Sequence, residues 1–353
     1  MSENTLSQIE KVADVETKCP PGYVRVRMST KGLYGAPAVL HMRNFSVEEA
    51  LELGSIAQEE LPIKIPKLLQ QTILEESADI NKFYEPEVSE LCIHFYSAFY
   101  SPRLKEVPYV VTEEDKKWML ENTYQGKVCP EYQNWLRGLE NGQLKPKVEI
   151  DLNQVEYYNV GDTAKSMIKY TNPDFDFSCV FQYPRFGDTA LMQKALKEEF
   201  RAEDARMGPL YEIFKRKRDA EARLRKGENI AIESIPYLNP DDEAAVRDYE
   251  LRKTQYIITM MKGLYLKELN GVDVSDKDLS ERVELAKDPR IDFSTYQTVS
   301  DTFNKLKIGP VPKVMVLNPV SGIPQEIDHP FRPLDLLAAI KNYRPDHANI
   351  EFI

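Results

Sequence analysis

The sequence predicts an α+β chain: a β-rich N-terminal module with packed helices, then a mainly helical module, then a short β-hairpin-like C-terminal segment. Three observations carry that prediction. Tyr23 to Met28 alternates Val24, Val26 and Met28 with Arg25 and Arg27, the period of a strand with one buried face. From Asp188 onward the chain reads as helices dense in charge. Lys313 to Leu317 returns to a strand pattern and is closed by a turn at Asn318 to Gly322.

Each element has a local reason. Gly32, Gly35 and Pro37 in KGLYGAP turn the chain, and Ala38 to Arg43 is a returning strand. Ser46 and Glu49 form an S-x-x-E capping box, so a helix begins near Val47. Pro62 and Pro66 separate it from a helix over Lys67 to Ala78, and Val88, Leu91, Cys92, Phe95 and Phe99 space out another over Glu87 to Tyr100. Residues 101–147, rich in Pro, Tyr and Trp, read as irregular. Val148 to Leu152, Ser166 to Tyr170 and Phe177 to Tyr183 are strands.

Beyond Asp188, Gly208-Pro209 is expected to break the chain into two helices. Asn239-Pro240 caps the next, whose stripe of Val246, Tyr249, Lys253, Tyr256, Ile257, Met260 and Leu264 runs toward a stop at Asn270-Gly271. Short helices follow near Asp276 to Ala286 and Ser294 to Leu306. The expected division is a polar leader (1–22), an α+β domain (23–187), a mainly helical region (188–312) and a strand-turn-strand tail (313–353).

Composition narrows the function. The 353 residues hold 46 Lys+Arg against 57 Asp+Glu, a net charge of -11, which disfavours general attraction to duplex DNA or an anionic membrane. With 19 Tyr and 14 Phe the chain folds rather than staying a disordered acidic polymer. Cys19, Cys92, Cys129 and Cys179 show no C-x-x-C spacing and read as free thiols of a reducing compartment. The polar leader lacks the apolar stretch of a signal peptide, and no run approaches about 18 apolar residues.

Motifs for catalysis are sparse. His41, His94, His329 and His347 lie apart without metal-ligand spacing, and neither a phosphate-binding glycine loop nor a nucleophile elbow occurs, so no metal, cofactor or catalytic set is expected. Asp151 with Glu156, or Asp241 with Asp242, offer carboxylate pairs for acid–base work, although Asp241-Asp242 suits a helix N-terminus in any case. The sharpest charge feature is Lys215, Arg216, Lys217, Arg218, Arg223, Arg225 and Lys226, interleaved with Glu212, Asp219 and Glu221. It reads either as a solvated helix or as a docking face for an acidic neighbour. The aromatic density from Tyr96 and Phe99 to Tyr132 and Trp135 fits core packing or a large permanent interface.

Two segments resemble the T-even-type bacteriophage baseplate protein family, whose members are hub components or hub-assembly factors of contractile tails. In residues 24–53, Ser29, Lys31, Gly32, Leu33 and Tyr34 are similar to that family's turn, and Phe45, Glu48, Glu49 and Leu51 to its helix start. In residues 268–337, Asn318, Pro319, Val320, Ser321 and Gly322 stand where related proteins carry a C-P-x-C-G knuckle. Both cysteines are replaced, so no zinc site is carried across. Leu336 and Leu337 replace an aromatic pair.

The resemblance implies a non-enzymatic structural subunit of a phage tail baseplate, located in the virion and in the host cytoplasm during assembly. Its partners would be other baseplate and tail proteins, with several copies in a symmetric assembly. Two alternatives stand beside it: an assembly chaperone absent from the mature particle, and an acid-pair hydrolase.

Overall fold

Alternating apolar residues make β1 (Tyr23–Arg27) and β2 (Val39–Arg43) an antiparallel pair in which Val26 faces Leu40 and Val24 faces Met42. The computed structural model describes residues 19–57, 60–160, 167–172, 176–225 and 235–342. Most of the polar leader therefore lies outside the described residues. Helix α1 (Val47–Ser55) opens on the expected box: Ser46 Oγ accepts from Glu49 N–H at 3.2 Å, and Glu49 accepts from Ser46 N–H at 2.7 Å.

Helix α2 (Leu61–Thr72) starts earlier than Lys67 and carries Pro66 within it. Leu61, Ile65, Leu68 and Leu69 are all buried on one face. At about 1.5–3 kcal/mol for each large side chain, their burial outweighs the roughly 3 kcal/mol cost of an interior proline. Helix α3 (Glu85–Phe99) runs through the middle of this first core and buries Val88, Leu91, Cys92 and Phe95.

Residues 101–147 are more regular than expected. They hold β3 (Arg103–Pro108), α4 (Glu113–Asn122) and α5 (Pro130–Glu140), after which β4 (Lys147–Asp151) pairs antiparallel with β3 across a bulge between Leu104 and Val107. Helix α4 buries little, and its start is set by a Thr112–Asp115 capping box instead of an apolar stripe.

A second core forms around a four-stranded antiparallel sheet ordered β5 (Met167–Asn172), β6 (Phe177–Gln182), β7 (Leu266–Leu269) and β8 (Val272–Asp273). Of the first of these strands, Ser166 lies outside the described residues. Phe177, Cys179 and Phe181 pack there on Tyr265, Leu266, Tyr296 and Phe303. Packing thus crosses the boundary expected at 187, since β5 and β6 join strands nearly a hundred positions later.

Two expectations about the helical region are corrected. Helix α6 (Phe186–Arg225) is continuous for 40 residues through Gly208-Pro209. Its buried Phe200, Met207 and Phe214 recur every seven residues across the proline and pack on Tyr249 and Val246 of α7 (Pro240–Tyr265), so coiled-coil packing overrides the local break. Helix α7 ends at Tyr265, not at Asn270-Gly271. Those two residues, with φ of 48° and 80°, form the two-residue turn of the β7–β8 hairpin.

Helices α8 (Leu279–Leu285) and α9 (Phe293–Asn304) match the two short helices expected. Arg282 of α8 is 1% exposed and grips Asp188 at the base of α6 at 2.5 and 3.2 Å. The tail is more than a hairpin: β9 (Lys313–Leu317) and β10 (Pro324–Asp328) are followed by helix α10 (Pro333–Asn342). Val314, Val316, Phe331, Leu336, Leu337 and Ile340 complete the first core, so the chain's C-terminal part closes on its N-terminal part. No helix among the described residues is long and apolar enough to cross a membrane.

Continuity of α6 has a direct test. A Cβ added at Gly208 meets no atom within 4 Å, so Gly208→Ala should stabilise the protein by about 0.5–1 kcal/mol in denaturant titration. A loss of stability would mean that the helix breaks there.

Candidate functional site

The turn between β1 and β2 is fastened from beneath by two glutamates of α3. Glu87 is fully buried, and its carboxylate accepts from Thr30 Oγ at 2.8 Å, Tyr84 N–H at 2.9 Å, and the N–H groups of Gly35 and Ala36 at 3.1 Å. One turn along the helix, Glu90 takes the N–H and the hydroxyl of Ser29, both at 2.6 Å. Gly35 is required by this approach, since a Cβ would fall 2.2 Å from the Lys82 carbonyl oxygen. Burial raises both carboxyls, Glu90 to about 7 from an ordinary 4.5, while the donated hydrogen bonds hold them down.

The family-like turn is thus a built joint. Lys31 is left-handed with φ 53° and reaches Asn159 at 3.5 Å, Leu33 is partly exposed, and Tyr34 packs edge-on against Tyr84 with ring centres 5.6 Å apart.

The second turn closes on a different carboxylate. Asn318 is buried, and its amide donates to Asp115 at 2.6 Å, meeting Tyr109 OH at 3.0 Å and the Gln325 carbonyl as well. Its own oxygen accepts from Val320 and Ser321 N–H at 2.7 and 3.1 Å, and Gly322 N–H returns to the Asn318 carbonyl at 2.8 Å, so hydrogen bonds to Asn318 hold the turn. Burial pushes Asp115 up, but hydrogen bonds from Thr112, Asn318 and Tyr109 bring it below its ordinary value. No group of three or more metal-binding side chains occurs among the described residues.

The basic cluster is divided in use. Lys217 pairs with Glu243, and Arg218 with Glu250 at 3.6 Å, so these two hold α6 to α7. Farther down, Arg252 pairs with Glu203 at 2.9 Å and Lys253 with Asp204 at 2.8 Å, which makes the two helices an antiparallel arm. Lys215, Arg216 and Arg225 are exposed and form no ion pair among the described residues, and Arg223 is exposed beside them. Lys226 lies outside the described residues. Of the carboxylates proposed as acid–base pairs, Asp151 accepts from Asn153 N–H at 3.0 Å and Asp242 from the side-chain amide of Asn239 at 2.5 Å.

One site has no counterpart in the sequence reading. Tyr84 packs on Tyr183 at 5.2 Å, and Tyr183 on Phe303 at 5.6 Å, a row of rings that runs from a small cluster of Tyr84, Val160 and Ile308 at the start of α3 to the second core. Residues 305–312 lie along this seam, fixed where Val311 N–H donates to Glu156 O at 2.8 Å and Tyr158 N–H to Gly309 O at 3.0 Å. An open groove of about 540 Å³ follows it, lined by Tyr158, Tyr183, Pro86, Ile308 and Pro310. Lys305, Lys307 and Arg332, all exposed, line it as well. The signals available were the K-L-K run before P-V-P at 310–312 and the two tyrosines, which nothing in sequence brings together.

The Glu90 joint sets a pH dependence. Its carboxyl holds a proton to about pH 7 folded but only to about 4.5 unfolded, so its contribution is fullest at low pH and is lost as pH rises through that window. Wild type should lose roughly 3 kcal/mol relative to Glu90→Gln between pH 4.5 and 8. Parallel stability profiles, measured by urea unfolding, would refute that assignment. Neither a protein-family model nor a curated protein or solved structure matches the chain.

Proposed function

We propose that the chain is a non-enzymatic structural subunit of a contractile phage tail baseplate, bound to neighbouring baseplate and tail proteins and repeated in a symmetric assembly. The observation that carries this reading is the α6–α7 arm. At about 1.5 Å per residue its 40-residue helix is about 60 Å long, yet the fully buried members of its own apolar clusters are few: Phe200, Met207 and Tyr249 in one, Phe214, Leu238 and Val246 in the other, with partly buried side chains such as Leu196, Leu210 and Ile213 around them. A long two-helix arm with so little core of its own is suited to reach a neighbour and gain contacts there.

The unpaired cations Lys215, Arg216 and Arg225 face outward near the distal end of α6, beside Leu224, while Tyr237, 84% exposed, precedes α7. Aromatic and basic side chains of this kind are enriched in protein interfaces. The two turns on which the family likeness rests, at Ser29 to Tyr34 and Asn318 to Gly322, are both hydrogen-bonded to buried carboxyl groups. The virion is the expected location, and the host cytoplasm the place of assembly.

Mass spectrometry of purified particles tests the proposal. The chain should be present in fixed stoichiometry, and a Lys215→Glu, Arg216→Glu variant should fold normally but be depleted from particles by about tenfold. A chain absent from particles yet required for their assembly would replace this reading with the chaperone; absence without any assembly defect would reject both.

A further inference from the structure

We propose that the seam groove receives an acidic, extended segment of a partner protein. This goes beyond the arm-mediated assembly role, because the groove belongs to the body of the fold and is built from other residues.

Charge complementarity selects the occupant. In a chain of net charge -11, three exposed cations converge on one groove, and Lys305, Lys307 and Arg332 form no ion pair within 4.0 Å among the described residues. The larger recess of about 760 Å³ between β3 and α10 differs in this respect, since Arg103 on its lining is taken up by the chain's own Glu149 at 3.0 Å. One carboxylate, Glu85, lines the seam groove, and it faces Arg332. The two lysines are left to an outside acid.

Shape selects an extended backbone. Pro86, Pro310, Pro312 and Pro330 line the groove, so its surface is set by fixed φ angles and pyrrolidine rings. Tyr183 is held between Tyr84 and Phe303, and Lys307 Nζ sits 5.8 Å from the centre of the Tyr158 ring. A groove lined by tyrosines and prolines suits a polyproline-like strand, and little ordering is needed on this side to receive it. Acidic side chains along such a strand would meet the two exposed lysines.

The test is fluorescence anisotropy with the full chain and a labelled peptide alternating glutamate and proline. A peptide alternating lysine and proline, and labelled oligothymidylate, serve as comparisons. The acidic peptide should bind, the basic one should not, and Lys305→Glu with Lys307→Glu should weaken binding by about tenfold or more. Both lysines are exposed, so an unchanged melting temperature verifies that this variant folds. A double reversal at Lys117 and Lys127, exposed and outside the groove, should leave binding within about twofold of wild type. No binding of the acidic peptide, equal loss in both double variants, or oligothymidylate bound as tightly through the same lysines would each overturn the proposal.

Discussion

A carboxylate cannot be left alone in a protein interior, and the burial of Glu87 is the constraint on which much of this fold depends. With the side chain fully buried, its two oxygens must be supplied with donors, and they come from Thr30, Gly35 and Ala36 of the first turn as well as from Tyr84. Glu90 repeats the device on Ser29 one helical turn later. The loop is thereby pinned to the central helix, Tyr34 is set against Tyr84, and the row of rings leads on to the seam between the cores. Loss of either acceptor would leave buried N–H or O–H groups without partners, a cost of about 1–3 kcal/mol for each group.

Similar polar fastenings occur wherever distant segments meet. Asp115 and Asn318 join positions 203 apart, and Asp188 and Arg282 join positions 94 apart. Such pairs add little net stability compared with apolar packing, but they penalise wrong registers, because a misplaced partner strands a buried polar group. The body is therefore specified at a few joints, while the arm relies on repeated apolar positions and partly exposed ion pairs. Local opening should be easier in the arm than in the two cores of the body, because its buried apolar clusters are small, and the same property leaves it free to adapt to a partner.

What the sequence shows depends on where the deciding partner lies. The β1–turn–β2–α1 start was legible because a two-residue alternation and the Ser46–Glu49 box are local. The stripe of α7 and the turn at Asn318 were legible for the same reason. Pro209 misled because the seven-residue spacing of Phe200, Met207 and Phe214 acquires meaning only against α7. Strand β7 follows α7 with no breaker between them, and its state is set by pairing with Cys179 and Phe181. Helix α4 announces itself by a cap and hardly at all by hydrophobicity. The turn at Ser29 to Tyr34 could be read, but not its anchors, and the groove draws on segments near 86, 158, 183, 307 and 332.

The central claim is that Glu87 and Glu90 make the first turn a rigid part of the core. Amide hydrogen exchange at Ser29, Gly35 and Ala36 tests it most directly. Fastened to buried carboxyl groups, these amides should exchange only as slowly as the buried centre of α3, that is, through global unfolding. Exchange at the rate of an open surface loop would contradict the account.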